Sequence, residues 1–115
     1  MKAKILALAI GWMAMAGGLM AQNADKMGSD PTACAKYQSL YQEFYKQGNY
    51  KDAMPWWVLA VQTCPKYSKN LYIHGVKMFE DRIEKESDAK KKNILVDSLL
   101  LVYDMRITNF GDDAR

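Results

Sequence analysis

The fold of this chain is decided by residues 37–65, YQSLYQEFYKQGNYKDAMPWWVLAVQTCP. Apolar residues recur at helical spacing on both sides of Gly48-Asn49, a pair that tolerates the left-handed backbone of a tight turn. Upstream, Asp30-Pro31 supplies an N-cap followed by proline at the first helical position. The pattern predicts antiparallel helices over about 31–47 and 50–64. Pro55 falls early in the second helix, where we expect a bend rather than a break.

Within this hairpin, nine residues fall at the spacing of a helical-hairpin repeat: Tyr37, Leu40, Phe44, Gly48, Tyr50, Ala53, Trp57, Ala60 and Pro65. This pattern, over residues 31–65, resembles one tetratricopeptide repeat (TPR). The resemblance implies an all-α fold, a short right-handed α-solenoid of about four helices in two hairpins. It also implies a scaffold that binds another polypeptide.

A second, less faithful hairpin is predicted over residues 68–111. Ser68 can cap a third helix from about 69 to 85, in which Leu71, Gly75 and Met78 occupy repeat positions. Residues 84–92 are strongly charged, so the third helix either extends or gives way to a polar loop, an insertion between the helices. A fourth helix is expected over about 93–109.

The fourth helix is apolar on two sides, which is unusual for the last helix of a solenoid. One face carries Ile94, Ser98, Leu101, Val102 and Met105, and Leu95, Leu99, Tyr103 and Phe110 widen it. Three explanations remain open: the chain is the amino-terminal piece of a longer repeat protein, it dimerises, or it docks on a partner through this helix.

The first 21 residues have the layout of a secretory signal peptide. Two lysines precede an apolar run from Ile5 to Met20, which is shorter than the roughly 20 residues that span a bilayer. Cleavage is expected after Ala21 or after Ala16. Residues 22–30 then form a flexible leader, and residues 112–115 a polar tail.

Removal of the signal peptide brings the charge close to neutrality. Without Lys2 and Lys4 the 16 basic residues become 14 against 13 acidic ones, a net charge of +1. This balance gives no reason to propose a nucleic acid or an anionic membrane as the partner. Residues 90–92, three consecutive lysines, are expected to form an exposed helical turn.

Export would allow the two cysteines to form a disulfide, because thiols pair in an oxidising compartment. Cys34 lies at the start of the first predicted helix and Cys64 at the end of the second. These ends are neighbours in an antiparallel hairpin, so we predict a Cys34–Cys64 disulfide. The alternatives are two buried thiols or a reactive cysteine, although the chain has no CxxC motif.

The TPR resemblance also implies where a partner binds. In that family the first helix of each hairpin lines a concave peptide-binding face. The corresponding positions are Gln38, Gln42, Tyr45, Lys46, Tyr72, Val76, Phe79 and Glu80. Family members that clamp a terminal carboxylate use lysine and asparagine where Gln38 and Gln42 stand here. We therefore expect an amide and aromatic surface suited to an extended peptide or a helix.

The sequence contains no HExxH, GxSxG, Gly-rich phosphate loop or CxxC motif. The one histidine, His74, is expected to pack or face solvent rather than bind a metal. Asp97 and Asp104 share a helical face and could seat a cation, although nearby Arg106 favours an ion pair. We therefore expect no catalytic residues, no metal and no cofactor.

The cysteine-bracketed hairpin resembles the start of exported TPR proteins of Gram-negative bacteria. Together with the signal-peptide pattern, this resemblance implies an exported protein-binding adaptor in the periplasm, or associated with the outer membrane, of such a bacterium. Two alternatives stay open. One is a structural amino-terminal segment of a larger envelope or secretion assembly. The other is a small hydrolase or enzyme accessory subunit, which would require His74 within hydrogen-bond reach of a free cysteine or an aspartate.

Overall fold

A computed structural model describes residues 26–111, which form four helices and no strand. The helices are α1 (Pro31–Lys46), α2 (Tyr50–Thr63), α3 (Lys69–Lys85) and α4 (Ala89–Phe110). The all-α class is therefore confirmed for this part of the chain. The predicted signal peptide, the first residues of the leader and the polar tail lie outside the described residues.

The first hairpin forms from the local signals that predicted it. The Asp30 side chain accepts a hydrogen bond of 3.1 Å from the backbone N–H of Ala33, capping α1. Gly48 has a φ of +73°, the left-handed conformation that reverses the chain, and Asn49 caps α2. α2 continues without interruption through Pro55.

The second hairpin differs from the prediction at its turn. α3 ends at Lys85 and α4 begins at Ala89, so only residues 86–88 connect them. Of the two alternatives for residues 84–92, the polar loop of several residues is therefore wrong, because all but residues 86–88 are helical. Asp88 caps α4 by accepting hydrogen bonds from the N–H groups of Lys90 and Lys91, at 2.9 and 3.3 Å. Lysine is a good helix former, so the charged run builds an exposed first turn.

The hairpin ends are closed by the predicted disulfide. Cys34 and Cys64 are bonded, with their Cα atoms 5.8 Å apart, and both residues are fully buried. Gly28, from the end of the leader, has a φ of +79° and lies directly against the carbonyl of Thr63. Residues of the leader therefore pack across the same end of the hairpin.

Trp57 joins the two hairpins. Its indole N–H donates a hydrogen bond of 2.6 Å to the carbonyl oxygen of Leu71 on α3. Its ring lies over Gly75 and meets Phe79 edge to face, with ring centroids 6.0 Å apart. A buried indole usually finds a hydrogen-bond partner, and here that partner fixes α3 against α2.

The second hairpin closes around Tyr72, which is fully buried. Its hydroxyl donates to the carbonyl of Pro65 in the connection between the hairpins and accepts a 3.2 Å hydrogen bond from the Asn109 amide. Its ring meets Phe110 edge to face. Tyr72 thus fixes the end of α4 to the start of α3.

Among residues 26–111, no helix combines the length and the apolar character that crossing a membrane requires.

Candidate partner-binding surface

The two hairpins meet at a stack of aromatic rings between α1 and α3. The Tyr45 ring stacks on the His74 imidazole with centroids 4.1 Å apart, and it also stacks on the Tyr50 ring, with centroids 5.2 Å apart. All three residues are half-buried, so part of each ring system faces solvent. We call Tyr45, Tyr50 and His74 the aromatic stack.

His74 is fixed by a second contact. Its Nδ1 and the Tyr41 hydroxyl share a hydrogen bond of 3.0 Å. Partial burial lowers the pKa of His74, and the nearby charge of Lys77 lowers it further. Burial raises the pKa of Tyr41, an effect that the neighbouring Tyr45 and Tyr67 increase and a hydrogen bond from Gln42 opposes. Both partners are therefore uncharged at neutral pH.

The lowered pKa has a defined sign for stability. A histidine whose folded pKa lies below its usual 6.5 contributes stability that is fully present above pH 6.5. That contribution is lost as the pH falls through the folded pKa, because the unfolded chain then takes up the proton more readily. Acidification below pH 6.5 therefore opposes the packing of His74 against Tyr45 and Tyr41.

An open groove of about 590 Å³ adjoins the stack at Tyr50. It runs between the α1–α2 turn, the end of α3 and the start of α4. Its lining comprises Gly48, Asn49, Tyr50, Lys51, Met54, Pro55, Asp81, Arg82, Lys85, Glu86 and Leu95. Lys85 and Asp81 form an exposed ion pair of 3.0 Å at its edge. The groove therefore has apolar residues beside charges of both signs.

Five of the eight predicted binding residues reach the surface. Lys46 and Glu80 are exposed, and Gln42, Tyr45 and Val76 are half-buried. The contacts place Tyr45 in the aromatic stack. That these residues bind a partner stays a prediction.

The other three predicted residues are buried and do not line a surface. Gln38 is 3% exposed; its amide nitrogen lies 3.5 Å from Cys64 Sγ, and its Oε1 has no partner within the described chain. Tyr72 is fully buried and Phe79 is 9% exposed. The causes differ: Gln38 lies against the disulfide at the end of the first hairpin, the end of α4 packs on Tyr72, and the Trp57 ring of α2 meets Phe79.

His74 and Tyr50 were not predicted as binding residues. For His74 the sequence indicated only that it packs or faces solvent. The partners of His74 come from another helix, so nothing close in sequence revealed the stack.

Asp97 and Asp104 are both exposed, and no group of three or more potential metal ligands occurs in the part of the chain that the structure describes.

Both cysteines of the chain are in the disulfide. The alternative of a reactive cysteine beside His74 therefore has no free thiol.

Comparison of the chain with protein-family models, with curated proteins and with solved structures gives no match.

Proposed function

We propose that this chain is an exported, TPR-like interaction scaffold that binds a peptide or a helix of an envelope protein. The observation that carries the proposal is the aromatic stack, whose member Tyr50 also lines the groove between the two hairpins. Aromatic rings beside a few polar groups are what peptide-binding grooves use for affinity and orientation.

The rim of this surface supplies the polar groups. Gln42 and Lys46 border the stack on α1, and Arg82 and Glu86 border the groove on the second hairpin. Charges of both signs suit a polypeptide better than a strongly acidic polymer. The disulfide supports an oxidising compartment, which accords with export to the periplasm or the outer membrane.

Site-specific photo-crosslinking in the native cell tests the proposal. A benzophenone amino acid replaces exposed Lys46, and the control variant carries it at Gln62, which is exposed on α2. We expect a discrete crosslinked band from position 46 and none from position 62. Adding Tyr45→Ala should remove the band, because the substitution removes the central ring of the stack.

The proposal fails if positions 46 and 62 give the same bands, or if the band survives Tyr45→Ala. Tyr45 also contributes to packing, so folding of that variant must be checked. An intact disulfide by mass spectrometry and an unchanged helical circular dichroism spectrum would show that the fold is retained.

A second candidate function is a structural amino-terminal segment of a larger envelope or secretion assembly. The exposed apolar side chains of α4 favour it, because further helices could bury them. We propose no enzymatic activity for the chain. The hydrolase alternative required His74 to act with a cysteine or an aspartate, whereas its hydrogen-bond partner is Tyr41.

A further inference from the structure

Two faces of α4 are apolar, and only one of them packs on the rest of the chain. The packed face contributes Leu95, Leu99, Val102, Met105 and Phe110 to the core. The other carries Val96, Leu100, Tyr103 and Ile107, each between 36% and 55% exposed, while Ile94 and Leu101, 60% and 56% exposed, lie apart from it. We call these four residues the α4 stripe.

The stripe has the spacing of a helix-pairing surface. Its members follow one another at intervals of four, three and four residues, which places them within about 60° of the helix circumference. This is the heptad spacing at which side chains of one helix fit between those of another. Scattered exposed apolar residues are ordinary, but four in this register indicate a helical partner.

The charges on α4 indicate the direction of that partner. Lys90 precedes the stripe and Asp104 follows its centre, on the same flank, and both side chains are exposed. When two copies of α4 run antiparallel about a centre near residue 98, Val96 of each copy faces Leu100 of the other. Tyr103 and Ile107 then face Asn93 and Ala89, two exposed residues that continue the same spacing. Lys90 of one copy then lies beside Asp104 of the other, twice in the pair.

We propose that the side of α4 that carries the stripe pairs with the same side of α4 in a second copy of this chain, in the antiparallel direction. The opposed directions also bring each positive helix amino-terminus near a negative carboxyl terminus. Asp97 is the one unfavourable group, because it lies near its own counterpart at the centre. The stripe spans only about 17 Å, so the dimer is weak and its population depends on concentration.

Sedimentation velocity measures the association. The sample is the full chain as processed and purified after export, from low micromolar to several hundred micromolar. We expect the weight-average sedimentation coefficient to rise from that of a monomer toward that of a dimer. A sedimentation coefficient that stays at the monomer value over the whole concentration range overturns the proposal, and the stripe would then bind a different protein.

Two adjacent leucines provide matched variants. Leu100 lies in the stripe and Leu101 lies outside it, and their exposed fractions are 55% and 56%. Leu100→Gln should weaken dimerisation at least about tenfold, since a buried leucine contributes more than the 1.4 kcal/mol that a tenfold change represents. Leu101→Gln should leave the dissociation constant within about twofold. Equal effects of the two substitutions contradict the stripe.

Charge exchange tests the antiparallel direction. Lys90→Glu and Asp104→Lys should each weaken the dimer, because each creates two like-charged contacts. The double variant should recover most of the original affinity, whereas Asp97→Asn alone should strengthen the dimer. Failure of the double variant to recover affinity overturns the antiparallel arrangement. None of these measurements depends on the aromatic stack, so the two proposals can fail independently.

Discussion

At the scale of single residues, the closest approach between the hairpins depends on the missing side chain of Gly75. A Cβ atom placed there would lie 2.3 Å from Cζ2 of the Trp57 ring. Glycine inside a helix is otherwise unfavourable by about 1 kcal/mol relative to alanine. Gly75 therefore lowers the helical propensity of α3, but it leaves the space in which the Trp57 ring reaches the backbone of α3.

Gly75→Ala should destabilise the chain, because the cost of the steric overlap with Trp57 exceeds the gain in helical propensity. The gain in helical propensity is about 1 kcal/mol, whereas forcing an atom into a filled site costs typically 1–3 kcal/mol. The overlap is severe and the indole is held by its hydrogen bond to Leu71, so we expect a net loss of about 1 kcal/mol. Urea denaturation monitored by circular dichroism measures it.

The control for this prediction removes the obstacle. In a Trp57→Leu background the ring atoms that meet position 75 are absent, so Gly75→Ala should be neutral or stabilising. Stabilisation of the chain by Gly75→Ala with Trp57 present would contradict the packing described here.

At the scale of the helices, the first hairpin is specified both by interactions close in sequence and by a bond between residues distant in sequence. Its N-caps, its left-handed glycine and its disulfide all specify the same two antiparallel helices. The bond joins residues 30 positions apart. Linking them restricts the unfolded chain more than the folded one.

Replacing both Cys34 and Cys64 by alanine should lower the free energy of unfolding by about 3 to 4 kcal/mol. Alanine is chosen because both sites are fully buried and a serine hydroxyl there would lack a partner. Urea denaturation of the oxidised and variant chains gives the difference. Mass spectrometry of the parent without reductant should show two hydrogen atoms fewer than after reduction. Two free thiols in the chain purified without reductant, or equal stabilities, would contradict this account.

At the scale of the whole molecule, the hairpins are joined by few but specific contacts. Trp57 connects α2 to α3, and the Tyr72 hydroxyl connects the linker at Pro65 to Asn109 on α4. Burial raises the pKa of Tyr72 to about 12. Because the folded chain holds this proton more tightly than the unfolded chain, Tyr72 contributes stability that is complete below pH 10.

Stability should therefore decline as the pH rises from 10 through about 12, in part because of Tyr72. Tyr72→Phe should make that decline shallower, since phenylalanine has no proton to lose. At pH 7 the same substitution should cost about 1–2 kcal/mol, because the Pro65 carbonyl loses its donor. Urea titrations at pH 7 and at intervals above pH 9 measure both effects. An unchanged alkaline slope in the variant would show that Tyr72 is not the buried group responsible.

The positions of the helices follow from short-range features of the sequence. Apolar spacing, capping residues and Gly48-Asn49 gave the first three helices to within a residue of their observed ends. The start of α4 was missed because its cap, Asp88, lies inside a charged run that also fits a loop. The disulfide was predictable because both cysteines lie at the ends of adjacent helices.

The sequence by itself therefore determined the helices, their pairing in the first hairpin and the cysteine bond, because each depends on residues within one helical hairpin. Only the tertiary structure decided which faces are exposed. The end of α4 packs on the face of α3 that carries Tyr72, removing that residue from the predicted surface, while α1 and α3 bring His74 onto Tyr45. These outcomes depend on how whole helices are oriented, and a side chain's neighbours on another helix leave no periodic trace in its own segment.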